Sequence, residues 1–285
     1  MKIAIASGKG GTGKTFVSTN LARALQRTGQ PVILTDCDAE EPNDAAFFDA
    51  EIVKTIAVKH EVPQINPHRC TYCGRCAEWC AFHAILVVAN LRFAQVLPDI
   101  CHGCGACSVA CNDGAITTSP RALGTITIRN EPNLTLVEGL TEIGAMSPVP
   151  VIKEALKNSH DNRAITLLDA PPGTACAFAV TVSQADYTIL VTEPTPFGLS
   201  DLQSSVEALR DMHKPFGVVV NRAGMGDREL YDYLEAEEIP LLLEIPFNRQ
   251  YAVTYSEGHC VVDSDQALEA NLLEVIQKIK QTLWK

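Results

Sequence analysis

Lys2-Ile3-Ala4-Ile5-Ala6-Ser7-Gly8-Lys9-Gly10-Gly11-Thr12-Gly13-Lys14-Thr15 decides the fold. Residues 2–7 read as a buried strand, and the glycines after it match G-x4-G-K-[ST]. Phe16, Val17, Leu21, Ala24 and Leu25 then recur at helical spacing as far as Gly29. Strand, glycine-rich loop and helix in that order can wrap a phosphate chain, because backbone N–H groups and the positive helix N-terminus converge on an anion. Gly8, Gly10, Gly11, Thr12 and Gly13 would form the cradle. Lys14 would reach the β- and γ-phosphates, and the Thr15 hydroxyl would bind Mg²⁺.

Further strand patterns occur at 31–36, 164–169, 187–192, 216–221 and 240–245. Helical patterns lie near 14–28, 149–158, 198–212, 227–238 and 265–284. Their alternation predicts an α/β fold, a doubly wound and mainly parallel sheet with its ligand at the carboxyl edge. A cysteine-rich stretch interrupts the pattern, with Pro63, Pro67 and Pro120 at its borders. The predicted organisation is a first part at 1–62, an insertion at 63–118 and a second part at 119–285. In the last helix Leu268, Leu272, Ile276, Ile279 and Leu283 share a face. Its polar side mixes Glu269 and Glu274 with Lys278, Lys280 and Lys285, which favours a helix packed on the core over one lying on a membrane.

The chain has 285 residues, with 34 acidic and 23 basic side chains and a net charge of −11. That balance argues against a general nucleic-acid binder, which needs Lys and Arg to neutralise phosphates. The apolar run at the N-terminus is too short for a signal peptide, and no stretch approaches the roughly 18–20 apolar residues of a membrane span. A cytoplasmic location follows as the expectation. There thiols stay reduced, and clustered cysteines usually bind metal.

Eight of the 11 cysteines form two runs of identical spacing, C-x2-C-x2-C-x3-C. Cys70, Cys73, Cys76 and Cys80 make the first, and Cys101, Cys104, Cys107 and Cys111 the second. This is the run the two-cluster ferredoxins use, in which the fourth Cys ligates the other cluster. By that rule one [4Fe-4S] cluster takes Cys70, Cys73, Cys76 and Cys111, and the other takes Cys80, Cys101, Cys104 and Cys107. Zinc sites usually pair two C-x2-C hooks across a longer gap, so a duplicated four-Cys run favours clusters. The proline that commonly follows the fourth Cys is replaced by Ala81 and Asn112, which alters the local loop rather than the ligand set. Of the other three, Cys37, Cys176 and Cys260, each is expected to be a small buried hydrophobe. Cys176 is weighed also as a ligand bridging two subunits.

The second lysine, Lys9, makes the loop Lys9-Gly10-Gly11-Thr12-Gly13-Lys14-Thr15. It resembles the deviant Walker A motif of the MinD/ParA/Mrp ATPases. The resemblance extends over essentially the whole chain, toward the MinD/Mrp-type members that carry an inserted two-cluster ferredoxin domain, such as those of the orange-protein complex. It implies that Lys9 reaches the phosphates held by a second subunit. Asp36-Cys37-Asp38-Ala39-Glu40-Glu41-Pro42-Asn43 is similar to the family's switch I, which implies that Asp38 orients the attacking water and belongs, with Thr15 and Asp169, to the Mg²⁺ site. Asp169-Ala170-Pro171-Pro172-Gly173 is similar to its Walker B and switch II. There Asp169 would hold Mg²⁺ through water, and the Gly173 N–H would sense the γ-phosphate.

Asn221-Arg222-Ala223-Gly224 lacks the carboxylate of a guanine-reading N-K-x-D, so ATP is favoured, with Asn221 as a contact to adenine. Pro246-Phe247-Asn248-Arg249 resembles a late loop near the base. The resemblance implies a Mg²⁺-dependent dimeric ATPase, a homodimer or a heterodimer with a paralogue, whose nucleotide state governs iron–sulfur electron transfer or engagement of protein redox partners. An Mrp-type iron–sulfur or metal-cofactor carrier, and a MinD/ParA-type positioning protein, are the other readings. The acidic charge weighs against DNA as a partner and the mixed tail against a membrane.

Overall fold

The computed structural model describes residues 1–284. The first part of the chain runs β1 (Lys2–Ala6), α1 (Lys14–Arg27), β2 (Val32–Asp36), β3 (Glu51–Ile65), α2 (Arg75–Glu78), β4 (Ile85–Val88), β5 (Phe93–Val96) and α3 (Ala106–Ala110). It continues β6 (Ile116–Glu131), β7 (Leu134–Thr141), α4 (Val149–Lys157), β8 (Ile165–Asp169), α5 (Cys176–Ser183), β9 (Tyr187–Thr192) and α6 (Pro196–Asp211). β10 (Phe216–Ala223), α7 (Glu229–Ala236), β11 (Leu241–Pro246), α8 (Arg249–Ser256) and α9 (Gln266–Leu283) complete it.

Among the described residues nine strands form one sheet, in the order β11-β10-β9-β1-β8-β2-β7-β6-β3. The strands from β11 to β7 pair in parallel. β2, β8 and β9 are buried at every position, which explains why they read as unbroken apolar runs rather than alternating ones. This is a doubly wound P-loop architecture. In register, Asp36 at the end of β2 lies opposite Asp169 at the end of β8, and Asp169 opposite Ile5 of β1. The chemistry-bearing ends of three strands are therefore neighbours at one edge.

Helix α1 starts at Gly13, which sits in the left-handed region at φ 98°. Its buried Asn20 donates to the Phe16 carbonyl at 2.7 Å and accepts from the Val262 N–H at 3.0 Å, fastening a late segment to the first helix. Leu268, Leu272, Val275, Ile276 and Ile279 of α9 are buried in the same core, and α9 packs on α1. The apolar face of this helix is covered by the fold. No helix among the described residues is long and apolar enough to cross a membrane.

By packing, the chain divides into two units. One comprises residues 1–56, 126–140 and 149–285, and the other 57–125 and 141–148. The second unit holds both cysteine runs and extends beyond the stretch that the prolines delimit. Strands β3, β6 and β7 were not anticipated from the pattern. β3 is mostly exposed and lacks a regular apolar face, and β6 includes Pro120. Within the second unit β4 and β5 pair antiparallel, and α2 and α3 pack together. Each of these short helices follows a left-handed glycine, Gly74 at φ 82° and Gly105 at φ 78°, so the two cysteine runs repeat one backbone shape.

Candidate functional site: a nucleotide cavity and two cysteine-lined cavities

A cavity of about 500 Å³ opens at the carboxyl edge of β1. Gly10, Gly11, Gly13, Lys14, Thr15 and Asp38 line its phosphate end. Pro246, Phe247, Asn248 and Tyr251 line the same cavity, so the late loop shares it with the glycine loop. Lys14 is buried at 7 % exposure, within the loop it was expected to serve. Gly8 faces the start of α6, where an added Cβ would overlap the Asp201 carbonyl. At Gly13 it would overlap the Asn221 amide. Close approach of neighbouring chain, as well as phosphate access, therefore demands glycine at these two positions.

Asn221 donates from Nδ2 to the Thr12 carbonyl at 2.9 Å, so part of its amide buttresses the loop while the residue lines the cavity. Gly173 has φ 88°, and its N–H donates to the Ser7 carbonyl at 3.1 Å. Lys9 lies 3.1 Å from Glu193 and 3.8 Å from Asp201 of its own chain, so in this conformation its ammonium is engaged within the subunit. Glu193 also takes Arg222 at 2.7 Å. Neither Glu193 nor Asp201 was singled out in the sequence, because neither lies in a motif.

The acidic edge is denser than the motifs suggested. The Thr15 hydroxyl donates to Asp169 Oδ2 at 2.8 Å. Asp36 accepts the backbone N–H groups of Asp38, Asn43 and Asp44 at 3.0, 2.8 and 3.1 Å, wrapping switch I around its carboxylate. That wrap carries Asp44, at the start of a 3-10 turn over Asp44–Phe47, to 2 % exposure. Burial and the charge of Asp169 push the Asp36 carboxyl up to about 8. Burial likewise pushes Asp38 up to about 6, against the pull of Lys14. Asp44 and Asp169 are raised by burial as well. Asp36 and Asp44 are functional candidates that motif reading missed; the repeated Asp at 36, 38 and 44 was the available signal.

Mg²⁺ fits this edge by donor chemistry. Thr15 and Asp169 already meet, Asp169 Oδ1 accepts no hydrogen bond, and hard oxygens suit a hard cation. Among the described residues no three His, Cys, Asp or Glu side chains converge closely enough to hold a single ion.

The eight clustered cysteines separate four and four. Cys70, Cys73, Cys76 and Cys111 line one cavity, and Cys80, Cys101, Cys104 and Cys107 another. In each set the fourth thiol comes from the other run. The sulfurs line a cavity rather than meet at one point, and apolar walls such as Ile65 and Ile116, or Phe82 and Ile85, complete it. Backbone N–H groups aim at the first and fourth sulfur of each run. Tyr72 and Gly103 donate to Cys70 and Cys101 at 3.4 Å, Ala84 to Cys80 at 3.2 Å and Ala115 to Cys111 at 3.3 Å. Four thiols with amide donors in an apolar wall fit the chemistry of an iron–sulfur cluster. Cys37 and Cys260 are buried, the latter with its Sγ 3.7 Å from the Thr19 carbonyl. Cys176, expected to be buried, is exposed at the start of α5, because its short helix begins directly after switch II at the edge of the sheet.

Residues 3–261 match the CobQ/CobB/MinD/ParA nucleotide binding domain, and the chain belongs to that family. It is a P-loop ATPase of the MinD/ParA type. An uncharacterized protein of Methanocaldococcus jannaschii is 30% identical over 263 residues, covering 90% of each chain. An iron-sulfur cluster carrier protein of Aquifex aeolicus is 23% identical over 298 residues, 99% of this chain and 67% of its own. In fold the chain is similar to the septum site-determining protein MinD of Pyrococcus horikoshii, complexed with Mg-ADP. That match has a TM-score of 0.60 and 19% identity, and covers 98% of this chain and 95% of the other.

Proposed function

We propose that this chain is a Mg²⁺-dependent, dimeric ATPase whose nucleotide state is coupled to two [4Fe-4S] clusters, which exchange electrons with, or help engage, a protein redox partner. One observation carries the reading: the crossed four-and-four arrangement of thiols in a chain that also carries a complete P-loop site. The clusters supply one-electron redox chemistry when bound; the thiols hold them, and the amide donors stabilise the charge on sulfur. At the other site the P-loop amides and Lys14 bind the phosphates. Thr15 and Asp169 hold Mg²⁺, and Asp38 positions the attacking water. Lys9 leaves Glu193 to meet the partner subunit's phosphates, a charge clamp of the arginine-finger kind. The insertion is taken as a ferredoxin-like domain between switch I and switch II, so movement of either switch reaches it through the chain.

Carriage of an iron–sulfur cluster is the second reading, favoured by the name of the Aquifex relative. Anaerobic reconstitution separates the two. About eight irons per chain that resist transfer to an apo-acceptor, with an ATPase rate that changes on reduction, support coupling. Rapid transfer with a redox-insensitive rate supports the carrier.

A further inference from the structure

Asp44 lies outside the roles assigned so far, yet it is a buried carboxylate. Its residue is 2 % exposed, and neither carboxylate oxygen accepts a hydrogen bond. Its carboxyl group lies within hydrogen-bonding reach of that of Asp169, whose Oδ1 is likewise without a donor. The position is built rather than accidental. Asp36 takes the N–H of Asn43 and of Asp44 itself, at 2.8 and 3.1 Å, and so turns the Asp44 side chain inward.

Carboxylates only accept, so two of them facing each other in a buried place require a proton or a cation between them. Lys14 acts favourably on both, but one ammonium does not balance Asp44 and Asp169 together. Mg²⁺ at a P-loop ordinarily rests on one or two protein oxygens and relies on nucleotide phosphates for the rest of its charge. Here the second carboxylate supplies charge that phosphate would otherwise bring.

We propose that Asp44 and Asp169, with the Thr15 hydroxyl beside them, form a seat that binds a hard divalent cation of the Mg²⁺ or Mn²⁺ type before nucleotide arrives. Two carboxylates, one hydroxyl and retained waters match the ligand set such an ion accepts. The nucleotide then meets a loaded site, and its phosphates displace waters rather than import the metal.

The test uses the full chain, freed of nucleotide, with Mn²⁺ alone as the probe and free Mn²⁺ read by electron paramagnetic resonance. The expected result is one tight Mn²⁺ per chain, displaced by Mg²⁺. Asp44→Asn should weaken it by about ten- to a hundredfold, the range for losing a group that supports a metal site. Asp211→Asn, exposed at the end of α6, should leave the nucleotide-free affinity within about twofold. Cooperative unfolding of Asp44→Asn checks its fold. If that variant does not fold, the wild-type titration decides by itself. Mn²⁺ that binds only when ATP or ADP is present overturns the inference and leaves the ATPase reading intact. Equal affinity in a folded Asp44→Asn overturns it too.

Discussion

The Lys9 ammonium lies 3.1 Å from the Glu193 carboxylate of its own chain, and Glu193 simultaneously holds Arg222 at 2.7 Å. Lys9 and Glu193 are only partly solvent-exposed, so the contact competes directly with any reach of Lys9 toward a second subunit. Lys9→Ala should abolish dimer-dependent hydrolysis while sparing nucleotide binding to the single chain. A normal turnover number in that variant would mean Lys9 acts only within its own subunit.

Glu193→Gln should work in the opposite direction. Weakening a partly exposed pair of about 1 kcal/mol frees Lys9 and lowers the ATP concentration at which dimers form by about fivefold. Sedimentation of wild type and variant across an ATP series reads this directly. An unchanged midpoint would show that the Lys9–Glu193 pair does not restrain assembly.

Protonation of the acidic edge should tilt stability with pH. Burial raises the Asp36 carboxyl from 3.8 to about 8, so the folded protein holds that proton more tightly than the unfolded chain. Its contribution is fully present below about pH 4 and is lost as pH rises through about 8. Thermal unfolding of cation-free protein should therefore show a melting temperature that falls between about pH 5 and 8 more steeply than in Asp36→Asn. The slope is the readout, since Asn also loses acceptors for three N–H groups. In activity, Asp38 must be ionised to orient water, so turnover should rise as pH passes about 6.

The crossed thiol sets make a prediction that single substitutions cannot. Cys111→Ser should lower iron from about eight to about four per chain, and so should Cys70→Ser. Combined, they should remain near four, because both thiols line one cavity. Cys111→Ser with Cys101→Ser should approach zero, because these two line different cavities although they share one run. Iron assay after anaerobic reconstitution distinguishes the outcomes, and the reverse pattern would assign each run its own cluster.

Gly8→Ala should cost about 1–3 kcal/mol of stability and most nucleotide affinity, because the new methyl would overlap the Asp201 carbonyl. Denaturant unfolding and nucleotide titration measure the two losses separately. A variant of wild-type stability would show that α6 can retreat from the loop.

The sequence by itself determined the parts whose chemistry is local. A strand, a glycine loop and a helix are contiguous, so Gly8–Thr15 disclose a phosphate site without any knowledge of the rest of the chain. The parallel core was legible because its strands are buried on both faces and read as apolar runs. Cysteine spacing divides the eight thiols into two runs, whereas the two cavities each draw three thiols from one run and the fourth from the other. Strands β3 and β6 were hidden because exposed or proline-bearing strands lose their alternation. Only the tertiary structure decided the rest. Glu193 meets Lys9 across 184 residues, and Asp44 meets Asp169 because a third carboxylate, Asp36, folds the intervening backbone. Such contacts depend on where separate strands end and how a loop turns between them. No pattern along the chain records that geometry.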